Sequence, residues 1–226
     1  RTVVPRLNAP GRIGNPEVGI PDAGVVVDLL LLGRGRRNAK KAEIVQRIFK
    51  SVLSKDQEMK QESAKQQDDA YKVAVDVNNV NEKRKYITAK IQDEMDVLVD
   101  EQVEVDSDRV IIIQGKNWNS GVIGIDTDRL KERFLRPAII LTSHKGSDYL
   151  RGSCRSIPRI NMYKVIDTVE QDFQKKYNRN LYCNEVESMG ETKIVSAFGG
   201  HAQACGFTMH KDDVNTFKEM VYQQMD

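Results

Sequence analysis

The sequence predicts an α/β protein in which a mostly parallel mixed sheet is flanked by helices and preceded by a long helical connector. Val110–Ile113 is a continuous run of β-branched residues, which is typical of a strand buried on both faces. A second apolar run, Pro137–Leu141, follows after a helical pattern that carries Leu130 and Phe134. A strand, a helix and a strand at this spacing indicate a parallel crossover unit.

The N-terminal half is predicted to be helical. Pro5–Pro16 has prolines and glycines too close together for regular structure and is predicted to be a loop. A helix is expected to begin at Pro21, to bury Val25–Leu32 and to end at Gly33. Amphipathic helices are expected over residues 40–60 and from Val80 onwards. The apolar face of the second of these is predicted to consist of Ile87, Ile91, Met95 and Leu98.

The C-terminal half is predicted to continue after Leu141 in the order strand, helix, strand and helix. These elements are expected at Tyr149–Ser156, Tyr163–Tyr177, Gln203–Met209 and Asp212–Met225. The sequence contains no internal repeat and no low-complexity tract. The C-terminal half is therefore the α/β part of the chain.

Charge is segregated along the chain although the formal net charge is only +2. Residues 34–50 are strongly basic, residues 92–108 are acidic with no Lys or Arg, and residues 145–159 are basic again. Such alternation can build a surface that attracts phosphate on a nearly neutral protein. Solvated helix faces of mixed charge are the commoner explanation of any single run, so the charge pattern leaves both interpretations open.

The cysteines and the apolar segments indicate which cellular compartment the protein is suited to. Cys154, Cys183 and Cys205 are odd in number and contain no CxxC pair, which favours a reducing, cytoplasmic environment over a disulfide framework. No apolar run approaches the roughly 18 residues that cross a bilayer, and residues 1–8 lack a signal-peptide core. The chain begins without Met and in the middle of a motif, so we expect it to be a fragment of a longer protein.

Two motifs have residue types suited to phosphate. In Gly199-Gly200-His201, paired glycines let backbone N–H groups approach an anion, and the histidine can donate a hydrogen bond to it. In Gly152–Ser156, hydroxyls of Ser153 and Ser156 surround Arg155, whose guanidinium can bind two phosphate oxygens. A tight turn with a structural histidine, and an ordinary surface strand, are the alternatives at these two places.

Two other segments are less specific. Trp118–Ile125 joins a strand to a helix, and its glycines can open the helix N-terminus toward an anion. Trp118 can stack on a base or pack in the core, and packing is favoured. The loop that contains Arg6, Asn8 and Arg12 is basic, but by itself it indicates no particular ligand.

A metal centre is not predicted within this chain. Metal-dependent phosphodiester hydrolysis gathers several carboxylates and histidines around one or two ions. The three histidines, His144, His201 and His210, are well separated, and most acidic residues fall on predicted helix surfaces. We therefore expect neither metal ligands nor catalytic residues here.

Taken together, these motifs resemble the C-terminal part of RecJ-like single-stranded-DNA-specific exonucleases of the DHH phosphoesterase superfamily. The resemblance rests on Pro5–Arg12, Trp118–Arg129, Arg136–Ile139, Gly152–Ile157 and Gly199–Gly206. The last of these is similar to the signature of the DHH-associated domain. The resemblance implies that residues 1–33 end the DHH domain, residues 34–105 form the connector and residues 106–226 form the DHH-associated domain.

The resemblance also implies a function. The intact protein would hydrolyse single-stranded DNA from 5′ to 3′ with Mn²⁺ or Mg²⁺, whose ligands would precede residue 1. This chain would bind the strand and its 5′ phosphate but would be inactive alone. The DNA-contacting residues implied are Arg6, Asn8, Arg12, Trp118, Gly152, Ser153, Arg155, Ser156, Gly199, Gly200 and His201, the last near the metal centre. The implied protein is a monomer without membrane contact that meets DNA repair, recombination or replication proteins.

Two alternatives stay open. One is a non-catalytic nucleic-acid-binding or replication scaffold module of DHH fold, and the other is a phosphodiesterase for oligonucleotides or cyclic dinucleotides. The chain departs from the family pattern at Asn119, where the family usually has His, and at Asp126-Thr127-Asp128, where it usually has smaller, mostly apolar or neutral residues. These acidic residues add negative charge near the implied DNA path.

Overall fold

A computed structural model describes residues 4–18, 20–27, 69–143, 146–188 and 191–225. The chain divides into two compact units, residues 1–87 and 88–226, and the boundary falls inside one long helix. No helix within the described ranges is both long enough and apolar enough to span a membrane.

The first unit begins with two short helices, α1 (Val4–Asn8) and α2 (Pro10–Ile13). The predicted loop over Pro5–Pro16 is therefore wrong. The proline does not prevent this, because Pro10 stands at the start of α2, where the backbone N–H that it lacks has no helical partner. Gly14 ends the helix and donates its N–H to the carbonyl of Pro10 at 2.8 Å. Residues 24–27 are helical, whereas residues 28–33 and the predicted helix over 40–60 lie outside the described residues.

The long helix α3 (Asp69–Gln102) confirms the amphipathic helix predicted from Val80 and starts eleven residues earlier. In the second unit it buries Ile91, Met95 and Val99, which follow one another at intervals of four residues. Two of these three belong to the predicted apolar face. Such spacing keeps side chains on one face of the helix. α3 is the helical connector expected before the sheet.

The second unit is an α/β domain. Its described strands form a five-stranded sheet with the order β1-β2-β3-β7-β6 and a separate two-stranded sheet, β4-β5. The elements after α3 are β1 (Ile111–Lys116), α4 (Ile123–Phe134), β2 (Ala138–Ser143), β3 (Tyr149–Arg155), α5 (Met162–Tyr177), β4 (Cys183–Ser188), β5 (Glu191–Ser196), β6 (Phe198–His201), β7 (Ala204–His210) and α6 (Val214–Met225).

The mixed α/β sheet flanked by helices is confirmed, and so is the parallel crossover, since β1 and β2 pair in parallel across α4. The prediction that the sheet is mostly parallel is wrong. Along the described strands, β2-β3, β3-β7 and β7-β6 all pair in antiparallel fashion. Residues 144–148, between β2 and β3, are too few for a parallel crossover, which needs about a dozen residues or more. A two-residue connection likewise joins β6 to β7.

The sequence also failed to indicate the β4-β5 hairpin and strand β6. The hairpin sequence is polar and lacks a strict apolar alternation, and β6 contains the glycine pair, which has low strand propensity. Backbone pairing with neighbouring strands specifies these segments instead, with Cys183 opposite Ser196 and Phe198 opposite Phe207. Each pairing joins strands that follow one another in the chain, but the apolar pattern of neither strand indicates it.

Two helix layers cover the five-stranded sheet. α4 packs on one face against β1, β2 and β3. The other face contributes alternate residues, among them Ile112, Ile139, Cys154 and Phe207, to a core shared with α5 and α6. Because side chains alternate along a strand, the residues on either side of Cys154 lie on the α4 face.

Candidate nucleic-acid interface

The register of β3, β7 and β6 brings two of the predicted phosphate motifs together. Ser153 and Arg155 occupy alternate positions of β3, so both side chains leave the α4 face of the sheet. The partners across the sheet form two rows on this face: Ser153, Gly206, Gly199 and Arg155, Ala204, His201. Small residues stand in the middle of both rows, so backbone is accessible between the two motifs.

A third motif joins them through the start of α4. A Cβ atom on Gly124 would lie 2.7 Å from Nη2 of Arg155 and 3.5 Å from Oγ of Ser153. A larger residue at this position would require the end of the Arg155 side chain to move. At the start of α4, the N–H groups of Ile123 and Ile125 donate to the carbonyls of Asn119 and Val122, so the helix end contributes its partial positive charge here rather than a row of open donors. The Trp118–Ile125 segment thus contributes through Gly124.

Arg155 is held in place by three groups of the protein. Its Nε donates to Oδ2 of Asp128 at 3.2 Å, and its Nη1 donates to the carbonyl of Cys154 at 2.8 Å and to Oγ of Ser153 at 3.4 Å. These bonds engage Nε and Nη1, whereas Nη2 lies beside Gly124. The arginine side chain is 24% exposed, so a ligand can still reach it.

The remaining residues of the Gly152–Ser156 motif have different roles. Ser153 is 9% exposed, and because its oxygen accepts from Arg155, its hydroxyl hydrogen is available to a ligand. Ser156 is buried and donates its hydroxyl to the carbonyl of Ile160 at 2.8 Å. Gly152 lies under the ring of Phe207, and a Cβ on Gly152 would be 2.4 Å from Cζ of that ring. Gly152 therefore has a role in packing and Ser156 a role in holding the loop after β3, and their contacts with DNA stay predictions.

The Gly199-Gly200-His201 motif forms exposed strand β6. Gly200 has φ of +141°, and a Cβ there would lie 2.4 Å from the carbonyl oxygen of Ala204, so only glycine fits. Gly199 has open space around its Cβ position. Nδ1 of His201 accepts a hydrogen bond from the N–H of Gln203 at 3.4 Å, and the exposed ring keeps Nε2 accessible.

Trp118 has a structural position. It is 3% exposed, its ring lies against Gly115, and its Nε1 donates to Oε2 of Glu94 in α3 at 2.6 Å. Its backbone N–H also donates to Oγ1 of Thr142. The burial of the indole disfavours stacking on a base, and the DNA contact expected of Trp118 stays a prediction. The packing role that the sequence favoured is the one observed.

The basic motif of the first unit lies in α1 and α2. Arg6 is 8% exposed, and its Nε donates to Oδ1 of Asn78 in α3 at 2.9 Å. This bond gives Arg6 a role in holding the first unit together. Asn8 at the end of α1 and Arg12 in α2 are both exposed. Contacts of these three residues with DNA stay predictions.

The three cysteines are all free thiols and are buried. Cys154 lies directly opposite Cys205 across the β3-β7 pair. Burial raises the pKa of the Cys154 thiol well above its usual value, whereas the hydrogen bond from Cys154 lowers the pKa of Cys205. Cys154 is therefore protonated at neutral pH, and the protonated thiol is a poor nucleophile.

A metal ion has no suitable ligand set in the described part of the chain. Within those ranges, no three His, Cys, Asp or Glu side chains lie close enough together to hold one. His201 in β6 and Cys205 in β7 are residue types that can bind a metal, but no third such side chain lies close to them among the described residues. The residues present do not fit the metal that the family resemblance implies, so no step through a metal is assigned to them.

The DHHA1 domain model matches residues 107–226, which is just over half of the chain and includes β1 to α6. The chain belongs to the DHHA1 domain family. Every described residue of the candidate interface in the second unit, including Gly124, Ser153, Arg155 and His201, falls within the matched range.

Curated relatives of this DHHA1 protein include two single-stranded-DNA-specific exonucleases called RecJ. The protein from Bacillus subtilis (strain 168) is 29% identical over 65% of this chain and 16% of its own length. That from Dickeya dadantii (strain 3937) is 28% identical over 95% of this chain and 28% of its own length. The chain thus spans less than a third of these relatives. Their similarity confirms the resemblance to RecJ predicted from the motifs.

Solved structures show the same fold. RecJ from Thermus thermophilus in complex with Mg²⁺ has a TM-score of 0.60 and 19% identity, and the match covers 99% of this chain and 24% of that one. The Mn²⁺ complex of the same protein gives the same TM-score and identity and is covered to 23%. At this identity the likeness concerns fold alone. It agrees with the predicted α/β sheet preceded by a long helix.

Proposed function

We propose that this chain is the substrate-binding half of a metal-dependent 5′ to 3′ single-stranded-DNA exonuclease and that it holds the DNA strand by its 5′ phosphate. The proposal is supported by the convergence of Ser153, Arg155 and Gly124 at the N-terminus of α4. The relatives named above are exonucleases specific for single-stranded DNA, which supports the choice of substrate.

The three groups suit a phosphate for complementary reasons. Nη2 of Arg155 carries two N–H donors and a positive charge, and Ser153 adds a hydroxyl donor. Backbone N–H groups at a helix N-terminus bind anions through their partial charge. In the same face, Gly199 and His201 lie two strands away, roughly 10 Å, where they offer exposed backbone and an imidazole to another part of the strand.

The other features of the proposal follow from the family resemblance. We propose that residues 1–33 end a DHH domain, that residues 34–105 are the connector and that residues 106–226 are the substrate-binding domain. Mn²⁺ or Mg²⁺ would serve the intact enzyme, with ligands outside this chain, and His201 would contact a phosphate near them. We also propose that the intact protein is a monomer, that it acts in the cytoplasm and that it meets DNA repair or replication proteins.

Arg155→Ala tests the phosphate pocket. It is expected to weaken binding of a 5′-phosphorylated single strand by roughly tenfold or more, because a charge-assisted hydrogen bond contributes about 1.5–3 kcal/mol. Binding of the same strand with a 5′ hydroxyl should change much less. Fluorescence anisotropy with labelled oligonucleotides measures both. The slope of the logarithm of affinity against the logarithm of salt concentration should also become shallower by about one, because one phosphate contact is lost.

Lys175→Ala is the matched control for Arg155→Ala, because it removes one positive charge from a residue that is 75% exposed on α5, the helix layer opposite α4. It should leave the preference for a 5′ phosphate unchanged. If the wild-type chain binds both strand ends equally and Arg155→Ala has no effect, the proposed pocket is wrong.

The chain by itself is expected to bind single-stranded DNA without cleaving it. The physical reason is that no ligand set for a metal occurs among the described residues, and phosphodiester hydrolysis in this family is expected to need one. Incubating the purified chain with a 5′-labelled strand and Mn²⁺ or Mg²⁺ should leave the strand intact. Metal-dependent cleavage that co-purifies with the chain through several columns would contradict the expectation.

A further inference from the structure

The structure contains a carboxylate beside the proposed phosphate pocket. Asp128 lies four residues after Gly124 in α4, so both residues are on the helix face that meets Ser153 and Arg155. Oδ2 of Asp128 accepts from Nε of Arg155 at 3.2 Å, and its Oδ1 accepts from Nζ of Lys131 at 2.9 Å. One negative charge is thus shared between two positive charges.

This ion pair changes what Arg155 offers to a ligand. A free guanidinium can bind two phosphate oxygens side by side through its fork. Here Asp128 takes Nε, and Cys154 and Ser153 take Nη1, so a ligand meets Nη2 alone. The bonds from Nη1 to the carbonyl of Cys154 and to Oγ of Ser153 do not involve Asp128, so they can hold the arginine when the carboxylate charge is removed. The carboxylate therefore mainly competes for the arginine.

The competition depends on the charge of the ligand. A terminal phosphate carries close to two negative charges above its second pKa of about 6, whereas an internal phosphodiester carries one. Repulsion from a carboxylate grows with the charge that is brought near it. Asp128 is 44% exposed, so solvent screens this repulsion in part without abolishing it.

We propose that Asp128 is a specificity-determining residue that weakens the preference of this site for a dianionic 5′-terminal phosphate over a monoanionic phosphodiester. The inference rests on the proposed function, because it assumes that Arg155 binds phosphate. Removing the charge of Asp128 should strengthen binding of the 5′ phosphate, whereas removing the charge of Arg155 should weaken it.

Asp128→Asn in the 226-residue chain tests this role, since the amide is nearly isosteric but uncharged. Binding of a single strand with a 5′ phosphate and of the same strand with a 5′ hydroxyl is measured at about pH 8, above the second phosphate pKa, and at fixed salt. The substitution should tighten binding of the phosphorylated strand by about fivefold, the upper range for one partly exposed charge pair. Binding of the hydroxyl strand should change less than about twofold. Asp128→Ser is a second variant in case the asparagine perturbs folding.

Asp172→Asn is the matched control. Asp172 is 39% exposed and pairs with Lys175 three residues later, as Asp128 pairs with Lys131, but it lies on α5 in the opposite helix layer. It changes the net charge equally and should leave the ratio of the two affinities unchanged. The double variant Asp128→Asn with Arg155→Ala should lose the gain, because the arginine through which Asp128 acts is absent.

The outcomes separate the two proposals. If Asp128→Asn and Asp128→Ser behave like Asp172→Asn while Arg155→Ala still weakens binding of the phosphorylated strand, the role of Asp128 is refuted and the phosphate pocket stands. If the Asp128 variants weaken that binding, Asp128 orients Arg155 instead of competing for it, and the inference is also refuted. If neither the 5′ phosphate nor Arg155 affects binding, the proposed function fails, and with it the basis of this inference.

Discussion

Trp118→Ala is expected to lower the free energy of unfolding by about 3–5 kcal/mol, the usual cost of truncating a buried large aromatic side chain. The indole is 3% exposed, fills the space above Gly115 and donates to Glu94 of α3. Its removal leaves a cavity between the end of the connector helix and the sheet. Urea-induced unfolding followed by circular dichroism measures the change, because the variant lacks the only tryptophan of the chain.

Trp118→Phe separates packing from a contact with DNA. It keeps most of the ring but loses the N–H donor, so it should cost less stability than alanine. Its affinity for single-stranded DNA should equal that of the wild type, since the ring does not reach the surface. Weaker DNA binding by Trp118→Phe at unchanged stability would show that the indole stacks on a base, contrary to its position here.

Gly200→Ala is expected to lower the free energy of unfolding by about 1–3 kcal/mol, the cost of one residue held in a backbone conformation that non-glycine residues avoid. Gly200 has φ of +141°, and a Cβ would come within 2.4 Å of Ala204 and 2.5 Å of Cys205 in the neighbouring strand. The β6-β7 pairing must shift to make room. Urea-induced unfolding followed by the fluorescence of Trp118 measures the loss.

Gly199→Ala is the matched comparison, because it makes the same chemical change one residue earlier. A Cβ at Gly199 meets no atom within 4 Å, so stability should stay within about 0.5 kcal/mol of the wild type. Gly199 lies in the same row as Ser153, on the proposed DNA face. Equal loss of stability in both variants would contradict the strained conformation assigned to Gly200.

The predicted elements that proved correct are those with strong local patterns. The β-branched run Val110–Ile113 and the apolar run Pro137–Leu141 are strands, and the helix between them makes the crossover parallel. The seam through Ile91 and Met95 is the buried face of α3. Here the periodicity of apolar residues and the length of the connection leave few other solutions. The polar strands β4 and β5 carry no such pattern.

The sequence by itself determined the α/β fold class, the connector helix and the motifs rich in Gly, Ser and Arg, because these depend on local periodicity and residue type. Tertiary structure decided which motif residues face a ligand. Strand register placed Ser153, Arg155 and His201 on one face and Cys154 in the core, while packing buried Trp118 and Arg6. It also paired Asp128 with Arg155. These outcomes depend on contacts between residues far apart in the chain, which composition and spacing do not encode.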